Sequence, residues 1–258
     1  MSRGWIVMRR AIFALLLREV RTRFGKYQLG YAWALIEPVA SVSILLVVFT
    51  SLRLRGAISG IDFPLFLING VVINGLFVEI SNRSIKAMEA NSALFNYRPV
   101  RPVDTVFARA LLECMLHTIV YSVLVLGYVV LGGQFDLHNF PLLLAVFVLM
   151  TVFASGIGIL FMVVTDAYTD ADRVLPLLTR PLFFISGIFF PLSAIPRDYW
   201  PLFLWNPIFH AIELSREAVA PGYRVPAVSL GYLAICALVA ITVALLIYRH
   251  REQRLRLR

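Results

Sequence analysis

The 258 residues are 60% hydrophobic, with a mean hydropathy of +0.81 and a formal charge of +9. So apolar a composition at this length belongs to a polytopic membrane protein and excludes a soluble domain. The cationic excess is accounted for by membrane topology and anionic inner-leaflet lipid, which removes nucleic acid as a partner.

In chain order, residues 1–31 come first. Phe13, Leu16, Val20, Phe24 and Tyr27 recur at three- and four-residue steps, while Arg10, Arg18 and Arg21 fall largely opposite. That pattern predicts an amphipathic helix in the inner membrane interface. Its apolar run AIFALLL is short and no small-x-small site follows, so the segment is expected to be retained rather than cleaved. Six hydrophobic stretches follow, at 34–52, 63–80, 107–131, 141–164, 175–193 and 228–248. Each approaches or exceeds the roughly 20 residues that cross about 30 Å of hydrocarbon. At the start of the first, Glu37 before Pro38 suits a helix start with a carboxylate near the positive end of the dipole.

Between the second and third stretches lies EANSALFNYRPVRP, residues 89–102, a helix-competent run ended by Pro99 and Pro102. Phe95 and Tyr97 are available to fill a groove on a partner, and Arg98 and Arg101 to pair with its acidic rim. In the third stretch Arg109, Glu113 and His117 recur every four residues on one face, where Arg109 and Glu113 are expected to form a structural ion pair. Asp170 and Asp172 imitate a D-x-D metal site but read as a solvated turn. Arg180, between Pro176 and Pro181 in the fifth stretch, either snorkels to the inner headgroups or binds a phosphate or carboxylate.

Residues 201–214 are apolar enough to suggest a seventh crossing. They are short, broken at Pro207, and would put the tail RHREQRLRLR on the outer side, so they read as a re-entrant or interfacial hairpin. Of 33 aromatic residues, ten lie within 183–223. Such rings serve an interfacial belt or a stacking surface for sugar rings, and the sequence leaves both uses open.

Orientation follows from the basic residues. With the N-terminus cytoplasmic, 19 of the 24 lysines and arginines fall inside, which places both termini in the cytoplasm. The expected fold is therefore all-α and integral to the membrane, one domain over 1–258. It divides into an interface helix at 1–31, spans one to five at 34–194, a periplasmic hairpin at 195–227, and the sixth span with its cytoplasmic tail at 228–258. There is no G-x-x-x-x-G-K-[ST] phosphate loop. The four histidines are scattered, and Cys114 and Cys236 suggest neither a disulfide nor a metal site. No catalytic or metal-binding residue is expected.

The strings LLLREVRTRFGKYQLGYAWALIEP, FNYRPVRPVDTVFARALLE, FFPLSAIP and YWPLFLWNPIFHAIELSREAVAPGY together resemble the membrane subunit of capsular polysaccharide ABC exporters. These are ABC-2 permeases, related to O-antigen and teichoic-acid exporters. The resemblance spans essentially the whole chain, and FNYRPV and ELSREAV point to the Gram-negative capsule branch. It implies an inner-membrane protein that works as two copies with two ATP-binding-cassette subunits, moving a lipid-linked, acidic polysaccharide outward. ATP and Mg would be held by those subunits and no cofactor by this chain. A periplasmic polysaccharide co-polymerase and an outer-membrane polysaccharide channel are the further partners implied.

By position, the resemblance puts Glu89, Asn91, Phe95, Asn96, Tyr97 and Arg98 in the segment that couples to the ATPase. It puts Trp200, Trp205, Asn206 and Pro207 in the outer gate hairpin. Arg180, Phe183, Phe184, Tyr31 and Trp33 are the candidates for the substrate path. A secondary transporter would call for paired broken helices in the two halves, and the interruptions at Pro176, Pro181 and Pro191 have no counterpart in the first. A membrane enzyme would require an acid/base or metal constellation, which is missing.

Overall fold

The computed structural model describes residues 2–24, 30–51, 60–89, 101–168 and 170–256, and these contain helices and connecting turns with no strand. In chain order α1 (Ser2–Phe24) precedes α2 (Gly30–Ser51), α3 (Phe63–Ile85), α4 (Pro102–Val130), α5 (Phe140–Ala167) and α6 (Ala171–Ile185). Two 3-10 turns, Leu192–Ala194 and Arg197–Tyr199, lead into α7 (Trp200–Leu204), α8 (Pro207–Val219) and α9 (Leu230–Arg256).

Proline and short polar side chains set the helix starts. Pro64, Pro102, Pro141 and Pro207 stand in the first turns of α3, α4, α5 and α8, where a missing N–H costs no hydrogen bond. Asn139 Oδ1 accepts from the Leu142 N–H at 3.1 Å and Asn206 Oδ1 from the Ile208 N–H at 3.0 Å. The Asp104 carboxylate accepts from the Arg101 N–H at 3.0 Å. Each contact satisfies a backbone donor that the first helical turn leaves open.

α3 is central. Its Phe66, Leu67, Ile68, Ile73, Leu76 and Ile80 are fully enclosed, with α5 on one side and α4 and α8 on others. α5 also carries α9 along its length, and two glycines allow the close approach. A Cβ on Gly156 would stand 2.7 Å from the Ala240 carbonyl carbon of α9, and one on Gly158 2.5 Å from Ser84 Oγ of α3. Small residues at such crossings let helix backbones pack where lipid offers no hydrophobic drive. Outside this bundle α1 lies against α4, with Leu15 buried and Phe13 and Leu17 exposed. The exposed pair suits contact with lipid, as expected of an interface helix.

Among the described residues four helices are long and apolar enough to cross a bilayer alone: α3, α4, α5 and the Leu230–Glu252 part of α9. The apolar part of α2 is shorter, at Leu35–Phe49. The stretch expected as a fifth span, 175–193, is not one helix. α6 stops at Ile185, and its 15 residues rise about 22 Å, short of the hydrocarbon thickness. The break has a local cause. Gly187, just past the C-cap Ser186, adopts φ +75°, the left-handed conformation at which helices commonly stop, and only glycine fits because a Cβ there would stand 2.5 Å from the Phe209 ring of α8.

The hairpin expected over 201–214 breaks as read, between Leu204 and Pro207. Its second arm, however, is not peripheral. α8 is enclosed by α3, α5 and α9, and its residues from Ile208 to Arg216 are all buried.

Replacement of Gly156 by valine sets a branched side chain against the α9 backbone, which cannot rotate away. The variant is expected to lose several degrees of melting temperature in detergent, whereas Gly127→Ala on α4, where an added Cβ meets nothing within 4 Å, is expected to be neutral.

Candidate functional site

A groove of about 580 Å³ separates α3 from α6. α3 contributes Asn74, Glu79 and Asn82, and α6 contributes Thr179, Arg180, Phe183 and Phe184. Asn82 Nδ2 donates to Thr179 Oγ1 at 3.3 Å, bridging the two walls. Asn74 is only 2% exposed, and its Oδ1 has no hydrogen-bond partner among the described residues. Arg180 is exposed in this groove and makes no ion pair with any described residue. The groove thus combines a free guanidinium, amide and hydroxyl groups, and aromatic faces, which is the chemistry that holds an anionic, hydroxyl-rich chain.

The aromatic wall extends beyond the groove. Phe183 meets Phe184 edge-on at 5.5 Å and Phe189 at 5.2 Å, and Phe189 stacks on Phe49 of α2, also at 5.2 Å. These rings join α2 to α6 where α6 ends. Of the other path candidates, Trp33 is exposed on α2 and does not line the groove, and the Tyr31 side chain lies outside the described residues.

Below the groove a cluster of charges ties three helices. Arg83 Nε of α3 is 2.7 Å from Glu79 Oε2 and 2.9 Å from Glu113 Oε1 of α4. Arg109 Nε lies 2.9 Å from Glu19 Oε1 of α1, close enough for an ion pair although its N–H is off the line of a hydrogen bond. Arg109 Nη1 also donates to the Arg83 carbonyl. Arg109 and Glu113 share a face of α4, but the i, i+4 pair expected between them gives way to pairs across helices. Each of these two largely buried side chains thereby meets an opposite charge on a neighbouring helix instead of standing alone.

Of the coupling candidates, Glu89 is exposed at the last described turn before the segment. Asn91, Phe95, Asn96, Tyr97 and Arg98 lie outside the described residues. The far end of the segment is tied to α9, with Arg101 Nε 3.8 Å from Glu252 Oε1.

Of the residues expected in an outer gate hairpin, Trp200 donates from Nε1 to the Ile195 carbonyl at 2.9 Å, with Arg197 over the indole at 5.8 Å. Trp205 is exposed, whereas Asn206 is buried and donates to Ser186 Oγ at 3.1 Å in addition to capping α8 beside Pro207. His210 pins the hairpin to the start of α9. Its Nδ1 accepts from the Ser229 N–H at 3.0 Å and its Nε2 faces the Leu204 carbonyl at 2.8 Å, which fixes the neutral Nε2–H tautomer.

Sequence reading missed Glu213, Arg216 and Tyr223. By position Arg216 is one of the five basic residues that fall outside the inner segments, yet it is 0% exposed. Its Nη1 is 3.1 Å from Glu213 Oε1, its Nη2 donates to the Ile188 carbonyl at 3.1 Å and its Nε to the Phe66 carbonyl at 3.2 Å. Its guanidinium carbon lies 3.3 Å from the centre of the Phe66 ring. Tyr223 OH donates to the second Glu213 oxygen, and burial pushes that hydroxyl well above its ordinary range, so it keeps its proton. Glu213 and Arg216 three apart within an apolar helix were the available signal.

Arg216→Ala would leave Glu213 charged and enclosed, and is expected to cost about 3–5 kcal/mol, read as loss of folded protein in detergent. Glu213→Leu combined with Arg216→Met is expected to recover part of that loss. Recovery stays incomplete because the Phe66 and Ile188 carbonyls lose their donor.

The sequence pattern of the ABC-2 type transporter family matches residues 10–220. Over 250 residues, 97% of this chain and 96% of the relative, the sequence is 48% identical to the polysialic acid transport protein KpsM of Escherichia coli. The capsule polysaccharide export inner-membrane proteins CtrC of Neisseria meningitidis and BexB of Haemophilus influenzae are both 28% identical, over 93% of this chain and 90% and 91% of their own lengths. The O-antigen export system permease protein RfbA of Klebsiella pneumoniae is more distant, at 22% over 80% of this chain and 78% of its own. With an all-helical bundle of this order and a match along nearly its whole length, the chain belongs to the ABC-2 type transporter membrane proteins.

Proposed function

We propose that this chain is the membrane half of an ATP-driven exporter that moves acidic, lipid-linked capsular polysaccharide outward across the inner membrane. Two copies would enclose the path and two separate ATP-binding-cassette subunits would drive it, since the sequence has no phosphate loop. A co-polymerase in the periplasm and an outer-membrane channel would carry the polymer onward. The relatives named for polysialic acid and capsule polysaccharide favour this substrate class over O-antigen, whose permease is the more distant match.

The observation that carries the reading is the groove between α3 and α6, with the free Arg180 set among Phe183, Phe184, Asn74 and Asn82. A guanidinium engages carboxylate or phosphate in a two-point fork, and rings pack on the C–H faces of sugars. In this reading α2 to α6 and α9 are the six spans. The non-helical chain after Ile185 completes the fifth crossing within the shelter of α8. Residues 195–227 then form a re-entrant hairpin on the outer face, and both termini are cytoplasmic.

Arg180→Ala is expected to reduce polymer export by an order of magnitude or more in cells that make the polymer, with membrane insertion intact. Arg180→Lys is expected to recover only part, because the ammonium lacks the fork. Export at the normal level in the alanine variant would leave Arg180 as a headgroup contact only.

Topology is checked separately. In a background without Cys114 and Cys236, cysteine at Ser193 and cysteine at Pro226 should both react with an impermeant thiol reagent added outside. Cysteine at Arg256 should react only once the membrane is opened. Labelling of the first two from opposite sides would make 201–214 a crossing.

A further inference from the structure

The charge cluster beneath the groove links parts of the chain that have different tasks under the exporter reading, on which this inference rests. Glu79 belongs to the groove wall, and Arg83 joins it to Glu113 of α4. Arg83 and Arg109 flank the segment 86–101 on its two sides, and the Arg109 guanidinium donates to the Arg83 carbonyl, closing the base of that segment. Arg109 then reaches Glu19 of α1, whose Leu15, one turn away, is buried while Phe13 and Leu17 are exposed. A helix that lies on the membrane surface slides easily along the bundle, because lipid covers its apolar face equally well at any position. Leu15 is buried and Ile12, Leu16 and Val20 are half-buried, apolar contacts that set the depth of the helix better than its register. An ion pair with one partner nine-tenths buried gives it a fixed register.

We propose that Glu19 and Arg109 are the positioning pair that locks α1 to the base of segment 86–101. Motion delivered to that segment by the ATP-binding partner is thereby carried into α1 and, through Arg83 and Glu79, into the groove wall as one rigid unit. Glu19 and Arg109 touch neither polymer nor nucleotide. Their contribution is to coupling: a pair that only stitched the fold would lower assembly and basal hydrolysis together with export when Glu19 loses its charge, because Arg109 is then left buried without a counter-charge.

The test uses the full complex of this chain with its ATP-binding subunit in vesicles, measuring assembly, ATP hydrolysis and export of acidic polymer. Glu19→Gln is expected to leave assembly and basal hydrolysis within about twofold of the parent and to lower export about tenfold, the factor that corresponds to roughly 1.4 kcal/mol. A second variant carries Glu19→Cys and Arg109→Cys in a background without Cys114 and Cys236. It is expected to export poorly until a short bismaleimide joins the two thiols, and then to recover.

Parental export by Glu19→Gln overturns the proposal. So does a joined variant that stays inactive, because α1 must then move against α4 during the cycle. Failure of the parental complex to export acidic polymer at all would instead overturn the exporter reading.

Discussion

The rest of the structure depends on the buried Arg216. Where the helical ladder ends after Ile185, backbone carbonyls are released among buried residues, Ser186 and Ile188 being fully enclosed, and such groups are tolerated only if the protein supplies donors. Arg216 supplies one to the Ile188 carbonyl, a second to the Phe66 carbonyl of α3, and a third to Glu213. A single fully enclosed guanidinium thus holds α8, α3 and the irregular chain after α6 together. The charge is tolerated because Glu213 neutralises it, Tyr223 satisfies the other carboxylate oxygen, and the Phe66 ring covers the guanidinium face.

That anchor explains why the groove has the shape it does. With the chain breaking after α6, only 15 helical residues stand opposite α3, and at their end Phe183 and Phe184 line the groove with Phe189 packed against Phe183. The hairpin then folds back over the break instead of leaving for solvent. Asn206 ties it to Ser186, and His210 ties it to Ser229 at the start of α9. Burial lowers the His210 pKa. A group whose folded pKa is depressed contributes stability above its unfolded value that is lost as pH falls, so this pin holds in the neutral range and weakens on acidification.

Charge is distributed in two different ways across the chain. Towards the C-terminal end of α3 and the N-terminal end of α4 arginine and glutamate satisfy one another, and beside the Arg83–Glu79 pair along α3 two pairs cross between helices. In the groove Arg180 is left without an ion-pair partner among the described residues, and Asn74 presents an unpartnered oxygen nearby. An unpaired cation at membrane depth is costly unless something fills its coordination. The paired set suits mechanical connection and the unpaired set suits a ligand.

The sequence by itself determined the membrane class, the apolar elements, the break at Pro207 and the family. These rest on hydropathy, turn chemistry and continuous motifs, which are local along the chain. The polar face of Arg109 and Glu113 was also legible, because helical periodicity alone puts them together. Their partners were not, since Glu19 and Arg83 lie far away in sequence and only packing brings them within 3 Å. The early end of α6 had a local signal in Gly187, which takes φ +75° just past the helix, but hydropathy runs on unbroken through it, and only tertiary structure sets the Phe209 ring of α8 where any side chain at 187 would stand. Arg216 shows the limit most clearly. In composition it is one more outer charge, and only tertiary structure, by enclosing it with Glu213 and two carbonyls, turns it into the anchor of the fold.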